Sequence, residues 1–161
     1  GNPEDIFSDE GQDISVRSKE KTAKRQSLWV DGRLGIIIDG TGKDVGKISR
    51  QKQLLDQIGY DCYMIFVNTS LEIAQERNMK RKRKLQPKAV EAMWNAVQRN
   101  IGGFQRVFGT KNFIIVDNNE DISDGDLFAE CTKRIRGLVK GKVTKPQAKR
   151  WIANELSKKR R

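Results

Sequence analysis

The chain has 161 residues, with charged residues at 33%, hydrophobic residues at 36% and a formal net charge of +11, which suits one domain with its own core and a short appendage. The positive balance favours polyanionic partners or substrates, and the complete lack of histidine excludes a Ser-His-Asp triad or a histidine base. Two cysteines, Cys62 and Cys131, are too few for a disulfide framework or a Cys/His zinc site. With no apolar stretch of membrane-spanning length and no signal peptide, a soluble protein of a reducing, cytoplasmic compartment is expected.

In chain order, residues 1–17 are polar and rich in Gly, Asp and Ser, and read as a loop segment. A helix is expected over 18–30, carrying Lys19, Lys21, Lys24 and Arg25 and closed by Gly32. Leu34–Ile38 is short, β-branched and apolar, the pattern of a strand buried on both faces. Residues 47–58 read as a helix stopped by Gly59, and "CYMIFV" (62–67) as a second buried strand. Thr69 and Glu72 suggest a capping box opening a helix through "SLEIAQERNMKRKRK".

A third helix starts near Pro87 and places Val90, Met93, Trp94, Val97, Ile101, Phe104 and Phe108 at helical spacing. Its Gly102-Gly103 pair marks a kink or a close backbone approach, because each glycine costs about 1 kcal/mol relative to Ala in a helix. "FIIV" (113–116) is a third strand, and Ser123 or Asp124 would cap a helix with Leu127, Phe128, Cys131, Ile135 and Leu138 on one stripe. Beyond Gly141 the chain turns basic, with Ala148, Trp151, Ile152 and Leu156 on one helical face. Buried-type strands each followed by a helix predict an α/β domain around a parallel sheet.

Three groups of residues bear on chemistry. "DGTGKD" (39–44) follows the first apolar run, so Asp39 stands at the carboxyl end where open α/β sheets hold ligands. The spacing is not that of a Walker A loop: Gly40 lies one residue too far from Gly46-Lys47, Gly42 one too near, and Ile48 replaces the hydroxyl residue. Asp39 can hold magnesium through water beside phosphates, or it can simply cap the following loop or helix. Next, Arg77 and Arg81 lie four apart on one helix face, with the basic run Lys80–Lys84 around them. Arginine suits phosphoryl transfer, yet such a run is equally a solvated helix end, a targeting signal or a nucleic-acid patch. Asn95, Arg99 and Arg106 occupy the polar side of the third helix and could face an anionic substrate.

The succession of "LGIIIDGTGKD", "GYDCYMIFVNTSLEIAQERN" and "NIGGFQRVFG" resembles the second half of P-loop small-molecule kinases. The likeness is nearest to the zeta-toxin and polynucleotide-kinase-like branch, including kinase-like proteins of large tailed phages, and it covers about residues 15–120. The resemblance implies a three-layer α/β fold with a parallel sheet that lacks its first strands and the Walker A loop. It divides the chain into a polar segment (1–17), a partial kinase-like domain (18–139) and a basic helical tail (140–161). It also implies Mg2+ and ATP as ligands and transfer of the γ-phosphoryl to a hydroxyl of a small-molecule, nucleotide or polynucleotide substrate. In that scheme Asp39 is the magnesium-associated acid, Gly40, Thr41 and Lys43 lie beside the phosphates, Asn118 follows the last strand near the nucleotide, and Arg77, Arg81 and Arg83 are lid arginines. The chain would be a piece of a longer kinase, a relic without ATP chemistry, or one half of a site completed by another polypeptide or a second copy at an open sheet edge. The alternative is a non-catalytic basic module that binds nucleic acid through Lys80, Lys82, Lys84, Lys158 and Arg160, or docks a partner protein.

Overall fold

The computed structural model of the protein describes residues 8–119 and 125–160. The chain is mixed α/β and mostly helical: α1 (Asp9–Asp31), α2 (Val45–Gln57), β1 (Met64–Asn68), α3 (Leu71–Lys80), α4 (Pro87–Phe108), β2 (Phe113–Asp117), α5 (Gly125–Val139) and α6 (Pro146–Lys159). β1 and β2 pair in parallel, with Met64 opposite Phe113 and Asn68 opposite Asp117. Parallel pairing requires a long crossover, and α3 and α4 supply it.

The core forms where the apolar stripe of α4 meets this sheet. Phe66, Phe104 and Phe113 are buried, and Val45, Ile48, Met64, Val97, Ile101 and Phe108 pack around them. The Phe66 ring lies 6.4 Å from Phe104 and 6.1 Å from Phe113, tilted by 45° and 52°. Such tilted pairs suit the quadrupoles of aromatic rings. Gly103 answers the question raised by the double glycine: a Cβ there would sit 3.3 Å from the Val45 side chain. The glycine lets α2 approach α4, and the helix runs unbroken through both positions.

Leu34–Ile38 departs from expectation, because it is extended but pairs with no strand among the described residues. The Leu34 amide donates to Trp29 at the end of α1, and the Leu34 carbonyl accepts from the Tyr60 hydroxyl. Residues 35–41 have no backbone partner among the described residues. Ile37 is 98% exposed, and Leu34 and Ile38 are exposed beside it. The run has strand chemistry, but among the described residues no other strand exchanges hydrogen bonds with it. Ile65 and Val67 of β1 are exposed as well. The chain presents 12796 Å² to solvent, whereas a compact monomer of its mass presents roughly 8,200 Å². Unpaired apolar edges pair with other chains. Ile37→Lys is therefore expected to reduce self-association in sedimentation velocity while leaving the far-ultraviolet spectrum unchanged; equal association would clear this run of the contact.

Other boundaries moved for local reasons. α1 begins at Asp9, so residues 9–17, expected as loop, are helical, while residues 1–7 lie outside the described residues. Ser8 caps it by accepting from the Gly11 amide, and Asp9 and Glu10 complement the helix dipole. At its other end Arg33, rather than Gly32, takes the left-handed conformation, with φ 53°. Arg33 also donates to the Val30 carbonyl and sits 5.8 Å from the Trp151 ring centre. α3 is capped by Ser70 instead of Thr69, and it ends at Lys80 instead of running through Lys84. On α5, Phe128 and Ile135 are exposed, so the expected stripe is no core face; its caps, Ser123 and Asp124, and the Leu127 side chain lie outside the described residues.

The tail helix packs back on the domain. Gly59, at φ +104°, lies so near α6 that a Cβ would come within 2.7 Å of the Ala148 nitrogen. Lys145 donates to Asp56 at 2.7 Å and to the Tyr60 carbonyl, with Asp61 at 3.7 Å. Burial alone would raise the Asp56 carboxyl, but hydrogen bonds and charge from Lys145 and Lys52 outweigh it and hold it below the ordinary range. Burial would lower Lys145, and Asp56 and Asp61 outweigh that to raise it. A depressed carboxylate stabilises above its unfolded pKa and loses that contribution as pH falls through the folded value. A raised lysine stabilises below its unfolded pKa and loses its share as pH rises through the folded value. Docking of α6 is expected to hold between about pH 5 and 10 and to loosen on either side. Trp151 fluorescence, isolated by comparison with Trp151→Phe, reads this out; an identical profile in Lys145→Met would refute it.

Candidate functional site

Ligands of parallel sheets gather at the carboxyl ends of the strands, where helix amino termini and loops converge. Here the β1 end continues into Thr69 and Ser70, and the β2 end into Asn118 and Asn119. The Asn118 amide donates to the Asn68 carbonyl at 2.8 Å and extends the ladder by one bond. The Asn119 side-chain oxygen accepts from the Ser70 amide at 2.7 Å, while its Nδ2 donates to Asp117 at 2.6 Å. Ser70 caps α3 by accepting from the Ile73 amide at 3.3 Å. The two strand exits are thus locked together by short polar side chains.

Polar side chains on either side of the α4 apolar stripe make the next contacts. Trp94 Nε1 donates to the Thr69 carbonyl at 2.8 Å, and Gln98 Nε2 donates to Asn68 Oδ1 at 2.7 Å. Six residues after Trp94 and on the other side of the apolar stripe, Asn100 Nδ2 donates to the carbonyls of both Gly42 and Lys43 at 2.9 Å. Gly42, buried and at φ +68°, lies 3.7 Å from Phe104 and Val97 by its would-be Cβ. This backbone shape favours glycine, and it sets the Asp39–Asp44 loop down on the core. Asp44 then opens α2 by accepting from the Lys47 amide at 2.8 Å. The capping role considered for Asp39 belongs to Asp44.

Asp39 is therefore left with an exposed carboxylate that bonds to no described residue. Gly40, Thr41 and Lys43 are exposed around it, and no atom lies within 4 Å of a Cβ built on Gly40. One backbone-anchored loop thus presents a carboxylate, a hydroxyl and an ammonium to open space. Among the described residues no cluster of three or more Asp, Glu, Cys or His could hold a metal by itself. A magnesium ion that keeps its waters and its phosphates needs only one or two carboxylates, and Asp39 fits that role.

The arginines divide. Arg77 is half-buried and donates to the Asn118 carbonyl at 2.7 Å, so it ties α3 to the loop after β2. Asn118 Oδ1 is buried and has no hydrogen-bond partner among the described residues. Arg81 and Arg83 lie beyond the Arg77 tether, exposed together with Lys80, Lys82 and Lys84. Lys158 pairs with Glu155 at 2.6 Å on α6, and Arg160 follows that helix, exposed. The structure brings Arg77 against Asn118 and anchors the 39–43 loop through α4.

Sequence reading missed Asn100, Gln98, Trp94 and Asn119 as site residues. It pointed to Asn95, Arg99 and Arg106, which are exposed on α4. Asparagine inside a helix is a poor former, and that was the available signal for Asn100. Cys62 adds no reactive group here: it is half-buried, and burial followed by the Asp56 charge pushes its thiol up to about 11. No described helix is long and apolar enough to cross a membrane. Comparison with protein-family models, curated proteins and solved structures finds no match.

Proposed function

We propose that this chain forms one wall of a phosphate site of the P-loop kinase class, in which the γ-phosphoryl of ATP passes to a hydroxyl acceptor. The observation that carries the reading is the Asn100 clamp on the Gly42 and Lys43 carbonyls. It holds Asp39, Thr41 and Lys43 in a defined loop set against α4 and the aromatic core. Bound Mg·ATP would supply the electrophilic phosphorus and most of the local positive charge. Around it, Asp39 would orient the hydrated ion and Lys43 would offset phosphate charge. Arg81 and Arg83, exposed on the turn after α3, would contact phosphate oxygens, while Arg77 positions the strand exit. A donor held against the β2 exit would satisfy Asn118 Oδ1, whose isolation costs about 1–3 kcal/mol.

The three-layer architecture belongs to the same proposal. The unpaired run Leu34–Ile38 and the exposed residues of β1 are where a further parallel strand, bearing the absent phosphate loop, would complete the sheet. Calorimetric titration of Mg·ATP into the chain tests the reading. Binding is expected, and Asp39→Ala is expected to weaken it at least tenfold with the fold intact. Absence of binding, or equal binding by Asp39→Ala, would reject this wall as a phosphate site.

A further inference from the structure

The basic run after α3 is built more firmly than a solvated helix end requires. Asn78 is only 5% exposed, the one polar side chain among the described residues buried to that degree. Its Nδ2 donates to the Leu85 carbonyl at 2.8 Å, and its Oδ1 accepts from the Leu85 amide at 2.9 Å. The Arg81 amide donates to the Asn78 carbonyl at 3.2 Å. Asn78 therefore closes both ends of the turn Arg81–Lys84, its backbone carbonyl at the start and its buried carboxamide at the finish. Pro87 then starts α4 directly after it.

This closure works against electrostatics. Arg81, Lys82, Arg83 and Lys84 are exposed, and none has an acidic partner among the described residues. Lys80 adds a fifth charge, although it pairs with Glu76 at 2.6 Å. Like charges within one short turn lie well inside the Debye length of about 8 Å and repel. An open chain would spread them apart, whereas the Asn78 clamp holds them close. Concentrated positive charge in a preset backbone is suited to a target with closely repeated anions.

We propose that the turn Arg81–Lys84, closed by Asn78, is a preformed contact for a nucleic-acid backbone. Holding the turn in advance removes ordering entropy that a flexible basic segment loses on binding. The turn has no aromatic or large apolar side chain to enter a lipid interface, so nucleic acid is favoured over a membrane surface. The net charge of +11 steers approach of a polyanion from a distance. Its test contains no ATP, so the outcome is read apart from phosphoryl transfer, for which Arg81 and Arg83 are also proposed.

The test is fluorescence anisotropy of a labelled mixed-sequence DNA duplex of about 20 base pairs, between roughly 50 and 200 mM salt. Log affinity is expected to fall linearly with log salt. Arg81→Ala with Arg83→Ala should reduce the slope by about 1.8, which is two phosphate contacts. Two glycines inserted between Lys82 and Arg83 keep every charge and Asn78 itself. That variant should bind several-fold more weakly with an unchanged slope, and Asn78→Ala should match it if its helical spectrum is retained. An unchanged slope in the double arginine variant would overturn the proposal. So would parent-level binding by the glycine-insertion variant, or tighter binding to phosphatidylserine vesicles than to the duplex.

Discussion

Phe104→Ala is expected to unfold the protein at room temperature. Phe104 is fully buried and packs against Phe66, within a core whose buried apolar residues are Phe66, Phe104 and Phe113. Truncating a buried phenylalanine costs about 3–5 kcal/mol, and ordinary domains hold only about 5–15 kcal/mol in all. A core this small sits at the lower end of that range, so the loss is decisive. The variant should lack a cooperative urea transition by circular dichroism. A sharp transition shifted by less than about 1 kcal/mol would mean that the aromatic trio is not the stabilising centre.

Gly59→Ala should detach α6. Two costs add there: a left-handed backbone at φ +104°, and a new Cβ 2.7 Å from a backbone nitrogen of α6. The first is of order 1–3 kcal/mol, and backbone cannot move aside as a flexible side chain can. Gly109 separates the terms, since it has φ +75° but nothing within 4 Å of its would-be Cβ. Gly109→Ala should show the strain alone, with α6 still docked. The expected pattern is rapid proteolysis between Lys140 and Lys145 in Gly59→Ala only. Similar cleavage in both variants would show that contact with Ala148 is not what holds the tail.

How much of this was legible depends on how local each cause is. α4 was readable almost to the residue, because seven apolar side chains at helical spacing follow a proline suited to a first turn. The two paired strands were also visible as continuous apolar runs, within two residues of their observed bounds. Leu34–Ile38 shares that chemistry and yet is no strand, since a strand exists only with a partner and the partner is not encoded in the run itself. The end of α3 was hidden because Lys and Arg favour helix; what stops it is the Asn78 side chain reaching forward to Leu85. Asn100 escaped for a similar reason. Its two carbonyl partners lie more than fifty residues away, and no periodicity reports such a contact. Asp39 was legible as an acid after an apolar run, while its release from capping required seeing Asp44 take that role.

The wall formed by residues 39–43 is the central claim, and backbone amide shifts on addition of Mg·ATP test it most directly. The account predicts shifts concentrated at Asp39–Lys43, with a second group at Asn118 and Asn119, where the clamped loop and the strand exit lie. Shifts confined to Lys80–Lys84 and to the end of α6 would contradict it, because nucleotide would then be responding to surface charge alone.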